Sequence, residues 1–289
     1  MEPLRTLSLD ASSPLLAKEY ALLSKALART PDDAPPWDPR PYSEGALATL
    51  RSVWIERMSA EHGSFPVFTA LALQLSEAGA TFDAEAVMLR MAQDEIRHAT
   101  LCGEVVAALG ETPSCVARRA LAPLARHPGC GPEERALRNV IYTTCLSEMV
   151  AVARFVEALD AIEAPYLRAV TRQLLADEVL HGQFGFLYLD AWSPWLAARP
   201  EVCASIERYL RHALAVIETR LAGSSPHPWT VTDEERALGV PDPAKAREVF
   251  HTTLEGAVLP GLERYGIRAE RAWKERRVET SSEALVTLA

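Results

Sequence analysis

Several things are scarce or missing in this chain, and each absence removes a class of protein. Glycine, at 14 of 289 residues, is too sparse for a loop-rich or low-complexity chain. No stretch of 18 or more apolar residues occurs, so no membrane-spanning helix is expected. Met1, Glu2, Pro3, Leu4 and Arg5 do not form the basic segment and apolar run of a secretory leader. The five cysteines are an odd number and none form a CxxC, which points to reduced thiols in a cytoplasmic protein. Positive charge is outnumbered, 30 Lys and Arg against 39 Asp and Glu. The net charge of -9 and pI near 5.4 argue against nucleic acid or an anionic membrane as partner. What remains is rich in alanine, leucine, arginine and glutamate, and 48% hydrophobic. Those are helix formers with enough apolar mass for a sizeable core, so the expected class is all-α.

Residues 1–42 are mixed. A helix suits 15–28, and Pro31, Pro35, Pro36, Pro39 and Pro41 then enforce an extended arm. Ser43 is placed to cap a long helix running to about Gly79. Its stripe of Leu50, Trp54, Met58, Phe65, Phe68, Ala72 and Leu75 has helical spacing. Asp83 is placed to cap a second helix that ends near Gly110. A connector with a short helix over 114–126 follows. Pro132 and Pro165 suit the first turns of a third helix to about Asp160 and a fourth to about Asp190. Pro200 opens a fifth helix that stops at Gly223. The stretch 224–243 holds four prolines and reads as a surface loop. Two more helices, over 244–256 and 262–277, precede a frayed end. The expected organisation is an N-terminal helix and arm over 1–42, a four-helix bundle over 43–190, and additional helices packed on it over 191–289.

The chemistry lies in a duplicated pattern. Asp94-Glu95-Ile96-Arg97-His98 and Asp177-Glu178-Val179-Leu180-His181 are both D-E-x-x-H inside expected helices. Positions i and i+3 share a helix face, so each Glu and His can reach one metal ion together. Carboxylate and imidazole suit Fe(II) or Mn(II). One hairpin before each motif stands a further glutamate on an apolar face. Glu61 shares its face with Met58, Phe65 and Phe68, and Glu148 with Ile141, Cys145, Val152 and Phe155. Burying such a carboxylate unpaired is costly, and a metal cluster compensates. A lone ExxH is usually a surface pair, but the order E, ExxH, E, ExxH singles out Glu61, Glu95, His98, Glu148, Glu178 and His181. Glu56 and Glu157 are rivals with more polar faces.

This pattern resembles the ferritin-like diiron-carboxylate superfamily, over about residues 43–190. The superfamily includes monooxygenase hydroxylases, ribonucleotide reductase small subunits, arylamine N-oxygenases, aldehyde-deformylating oxygenases and ferritins. The resemblance implies a ferritin-like four-helix bundle with extra N- and C-terminal helices. It also implies two iron ions, Fe/Fe or Mn/Fe. Glu95 and Glu178 would bridge them, Glu61 and Glu148 would be terminal ligands, and His98 and His181 would bind one ion each. Asp177 would orient His98, and Asp94 would orient His181. Cys102 stands where ribonucleotide reductases carry their radical tyrosine, and Leu174 where arylamine N-oxygenases carry an extra histidine. Both departures argue against those two activities.

Phe65, Phe68, Cys102, Cys145, Val152, Phe155 and Phe184 are expected to line the site, or simply to pack the core. Thr144 can reach a bound oxygen species or back-bond to its own helix. Pro66 should break its helix, and Gly182 and Gly185 should loosen theirs. The expected function is an O2-activating non-haem diiron oxygenase or oxidase. Its substrate would be a small organic molecule, free or carrier-bound, and its electrons would come from an external ferredoxin or reductase. The alternative is a ferroxidase that handles iron without an organic substrate. The sequence leaves the oligomeric state open, a homodimer included.

Overall fold

The computed structural model describes residues 5–8, 35–117, 124–222 and 230–277. The expected helix at 15–28 and the frayed end after 277 lie outside the described residues. Ser43 opens α1 (Glu44–Glu77): its backbone is extended and its hydroxyl accepts from the Ala46 N–H. That satisfies one of the donors a helix start leaves unpaired. Leu47, Leu50, Trp54, Met58, Phe68, Leu71 and Leu75 form its buried stripe. The helix does not break at Pro66 as its sequence predicts, but runs through it. An interior proline costs about 3 kcal/mol. Phe68, Leu71 and Leu75 follow it fully buried, and each such side chain contributes about 1.5–3 kcal/mol, which outweighs that cost.

Gly79, at φ 72°, turns the chain into α2 (Phe82–Ala108), which packs along α1. Thr81 occupies the N-cap position, and Asp83, the expected cap, lies in the first turn, where its charge suits the helix dipole. The expected helix over 114–126 does not start at its first residue. Ser114–Ala117 (β2) instead pairs antiparallel with Arg5–Ser8 (β1), Ser8 opposite Ser114. Pairing with that strand satisfies the backbone. Residues 118–123 lie outside the described set.

The third long helix has three parts: α3 (Pro132–Val140), a π-helical stretch (Ile141–Glu148) and α4 (Met149–Ala161). The fourth, α5 (Pro165–Ala197), runs beyond its expected end at Asp190, because Leu196 is buried and Trp192 and Trp195 pack on the core. It is followed by α6 (Pro200–Ala222). The stretch read as a loop contains α7 (Asp233–Ala237), closed by a capping box between Thr232 and Glu235. The Glu234 carboxylate accepts from the Ser43 N–H at 2.7 Å, tying α7 to the start of α1. Then come α8 (Pro243–Thr253), a second π stretch (Leu254–Val258), α9 (Leu259–Glu263) and α10 (Ala269–Lys274). The helix expected over 262–277 is interrupted at Gly266, which has φ 76°.

Two apolar cores form between these helices. One gathers Phe68, Met88, Leu137, Ile141, Phe184 and, from the C-terminal helices, Leu210, Phe250 and Leu262. The other gathers Leu50, Trp54, Met58, Cys102, Val105, Phe155, Leu167 and Leu174. On α1 the stripe passes from Met58 in one core to Phe68 in the other, with Glu61 between. On α2 it passes from Ala92 to Leu101, with Glu95 and His98 between. On α5 it passes from Leu174 to Phe184, with Glu178 and His181 between. The six ionisable residues singled out in the sequence therefore occupy a polar layer between two apolar ones.

Candidate metal centre

Four long helices each contribute to this layer. Glu61 comes from α1, Glu95 and His98 from α2, Glu148 from the last π-helical position, and Glu178 and His181 from α5. Glu61, Glu95, His98 and Glu178 each present one ligand atom, all within 4.8 Å of one another, and Glu148, Glu178 and His181 form a second such group. Glu178 belongs to both. Its Oε1 lies 3.1 Å from His98 Nδ1 and its Oε2 lies 3.2 Å from His181 Nδ1. Glu95 belongs to the first group and also puts Oε1 3.1 Å from His181 Nδ1. Glu61 Oε2 lies 3.5 Å from His98 Nδ1. The rival Glu56 is exposed, and Glu157 stands outside both groups.

The histidines have two distinct sides. Each turns Nδ1 to the glutamates and Nε2 to an aspartate on the opposite helix. His98 Nε2 lies 3.4 Å from Asp177 Oδ2, and His181 Nε2 lies 3.8 Å from Asp94 Oδ2. The first is at hydrogen-bond length, and the second is an ion-pair distance longer than a hydrogen bond. An aspartate accepting the Nε2 proton leaves Nδ1 as the free base, which is the form a metal needs. Arg97, at an x position of the first motif, has no role in the sequence pattern. It contacts Asp177 closely and reaches Asp94 at 3.7 Å, joining the two outer acids. Arg90 adds contacts of 3.0 Å to both oxygens of Asp94.

The electrostatics of this layer follow from burial. Burial, reinforced by the charges of Glu178 and Glu61, pushes Glu95 up to about 8. Burial and the neighbouring Glu178 and Glu95 charges push Glu148 well above the usual carboxylate range. Burial pulls His98 down, but the close carboxylates of Glu178 and Glu61 win and push it up to about 10. Burial also opposes ionisation of Glu178, yet the two histidines hold it below its ordinary value. Without a cation, the four carboxylates and two imidazoles thus offset their charges by holding extra protons. His98 Nδ1, His181 Nδ1, Glu95 Oε1 and Glu178 Oε2 are buried with no hydrogen-bond partner. Such orphaned atoms cost free energy unless something occupies the space between them. Two divalent cations would balance four carboxylates while leaving both histidines neutral. The donor set and its unpaired atoms therefore fit a pair of metal ions of the oxygen- and nitrogen-preferring kind.

The surroundings differ in part from the sequence expectation. Phe68 lies against His181, ring centroids 5.4 Å apart, and Cys102 and Cys145 are fully buried. Phe155 walls a cavity of about 260 Å³ that also reaches Glu61, between α1, α4 and the α7–α8 segment. Phe65, Phe68, Cys102, Cys145, Val152 and Phe184 do not line that cavity. Thr144 donates to the Val140 carbonyl at 2.7 Å, so its hydroxyl serves its own helix. Gly182 and Gly185 bring helices together instead of loosening them. A Cβ on Gly185 would lie 2.3 Å from Thr144 Oγ1 and 2.4 Å from Cys145 Sγ, so α5 rests directly on the π stretch. Helical spacing does not predict that stretch. Its one signal is the β-branched run Ile141, Thr143 and Thr144, a poor α-helix former. π-helical turns recur at functional sites, and this one ends on Glu148.

No protein-family model, curated protein or solved structure matches this chain.

Proposed function

We propose that this chain is a ferritin-like non-haem diiron oxygenase or oxidase acting on a small organic substrate. The support for the metal pair is the convergence of two histidine Nδ1 atoms on Glu178 and Glu95. In this reading Glu61, Glu95, His98 and Glu178 would hold one ion, and Glu148, Glu178 and His181, with Glu95 beside them, would hold the other. Two irons, when bound, would supply the reduction of O2. The chain's own residues fix the ligands, exclude water and shape the place where a substrate lies. Asp177 holds His98 in the ligating tautomer, and Asp94 faces the same nitrogen of His181 at ion-pair distance. The two apolar cores enclose the layer from both sides, and low polarity there strengthens every electrostatic contact. Electrons would come from a separate donor, because the chain has no CxxC or Gly-rich nucleotide motif.

One observation favours an organic substrate over iron handling. The cavity at Glu61 carries Arg57 and Arg154, and neither makes an ion pair among the described residues. With Arg236 they match the acids Glu61, Glu157 and Asp242 in its wall, so this approach is not the acidic path a ferroxidase needs. The test is O2 consumption by the reduced, iron-loaded protein. An oxygenase consumes a few equivalents, and consumption accelerates with an organic compound that is recovered oxidised. Oxidation of many iron equivalents per chain, with their retention as mineral, would replace this reading with the ferroxidase one.

A further inference from the structure

The cavity at Glu61 is more specific than an apolar hole. Phe155, Val150, Ala151 and Ala158 give it an apolar wall. Its volume of about 260 Å³ suits a compact molecule, on the order of nine waters at about 30 Å³ each. Arg57 is held between two rings, its guanidinium carbon 4.7 Å from the centre of Trp54 and 5.1 Å from that of Phe155. That stacking fixes the group in place and leaves its N–H donors unused. Arg154 donates to the Leu221 carbonyl, while its Nε is buried with no hydrogen-bond partner.

The other charges in the wall have partners or other duties. Arg236 is paired with Asp233 at 2.5 Å and with Asp242 at 3.8 Å. Asp242 caps α8 through the Ala244 N–H at 2.8 Å. Glu61 belongs to the metal cluster. Glu157 makes no ion pair with either arginine, and burial pushes its carboxyl up. Arg57 and Arg154, both in the wall with Phe155, are therefore the cations of this cavity that form no ion pair among the described residues. A buried guanidinium donor left unused, as Arg154 Nε is, is costly alone and favourable against a carboxylate, which accepts two parallel N–H bonds.

We propose that this cavity binds a small organic carboxylate, its acid group held by Arg57 and Arg154 and its apolar body along Phe155, beside Glu61. Its role as substrate rests on the oxygenase reading; the binding does not.

The experiment measures hexanoate, hexanamide and inorganic phosphate binding to the full chain, with and without zinc, by titration calorimetry. Hexanoate should bind at least about tenfold tighter than hexanamide, the ratio one charge-assisted hydrogen bond supplies. Arg57→Gln and Arg154→Gln should each bring the two ligands to near parity without weakening hexanamide. Should Arg154→Gln fail to fold, Arg57→Gln decides, since the Arg57 guanidinium makes no hydrogen bond among the described residues. Equal binding of acid and amide by the wild-type chain overturns the proposal. So does hexanoate binding that survives both substitutions, which would place the carboxylate on the metal, or phosphate binding as tightly as hexanoate. A chain that binds hexanoate by these rules but consumes no O2 refutes the oxygenase reading and keeps this one. O2 consumption with no carboxylate preference does the reverse.

Discussion

Asp177 and Glu178, neighbours on α5, approach opposite nitrogens of one histidine: Asp177 lies 3.4 Å from His98 Nε2 and Glu178 lies 3.1 Å from His98 Nδ1. The other motif repeats the arrangement, with Asp94 at 3.8 Å and Glu95 at 3.1 Å from the two nitrogens of His181. Each D-E pair thus grips the histidine of the opposite motif, which couples α2 to α5 through the centre of the molecule.

The shared position of Glu178 leads to the first prediction. The wild-type chain, loaded anaerobically with Fe(II), should retain about two ions, as this ligand pattern does in carboxylate-bridged bundles. Glu178→Ala should lose more metal than Glu61→Ala, because Glu178 serves both ligand groups and Glu61 one. Elemental analysis after desalting checks this. Equal retention by the wild type and Glu178→Ala would remove the site assignment.

The aspartates should act on affinity through the histidines. Asp177→Ala is expected to weaken metal binding by about 10–100-fold, with Asp94→Ala less severe because its histidine contact is longer. Competition titrations against a chelator give the ratio. A stronger effect from Asp94 than from Asp177 would contradict the geometry.

Metal-free protein should lose stability as pH rises. The folded Glu95 carboxyl titrates near 8 and the folded His98 near 10, both above their ordinary values. The folded chain therefore binds protons that the unfolded chain has released. The Glu95 contribution is complete below about 4.5 and lost as pH climbs to about 8; that of His98 is complete below about 6.5 and lost by about 10. Glu178, held low, acts only on the acid side. Thermal melts between pH 6.5 and 10 should show a falling midpoint without metal, and a much flatter profile with metal, which takes the place of those protons. A flat profile in the metal-free protein would show that the layer does not hold protons in this way.

Two glycines separate helix propensity from packing. Gly63→Ala meets nothing within 4 Å and should stabilise by up to about 1 kcal/mol. Gly185→Ala would press on Thr144, Cys145 Sγ and, at 3.1 Å, the Cys145 backbone nitrogen. Overpacking of about 1–3 kcal/mol should outweigh the propensity gain and lower the melting temperature. The displaced π stretch carries Glu148, so metal retention should fall as well. A Gly185→Ala protein as stable as wild type would mean that α5 can move off the π stretch.

The buried carboxylate and histidine cluster was legible in the sequence because it is written in local geometry. An ExxH pair needs only the helical repeat to place both groups on one face, and a glutamate inside an apolar stripe announces its own burial. Composition and caps likewise determined the class and most helix starts, from Ser43 to Pro165 and Pro200. Tertiary structure decided what depends on the distance between helices. Pro66 stays helical only because the residues after it find a core. Residues 141–148 widen into a π-helix with α5 held against them by the missing Cβ of Gly185. Arg97 finds Asp177 80 positions away. The arginine-flanked cavity exists only where α1 and α4 meet the segment from Arg236 to Ala246. None of these is a periodicity, so no spacing along the chain could have announced them: the sequence determines which groups share a helix face, and packing decides what that face meets.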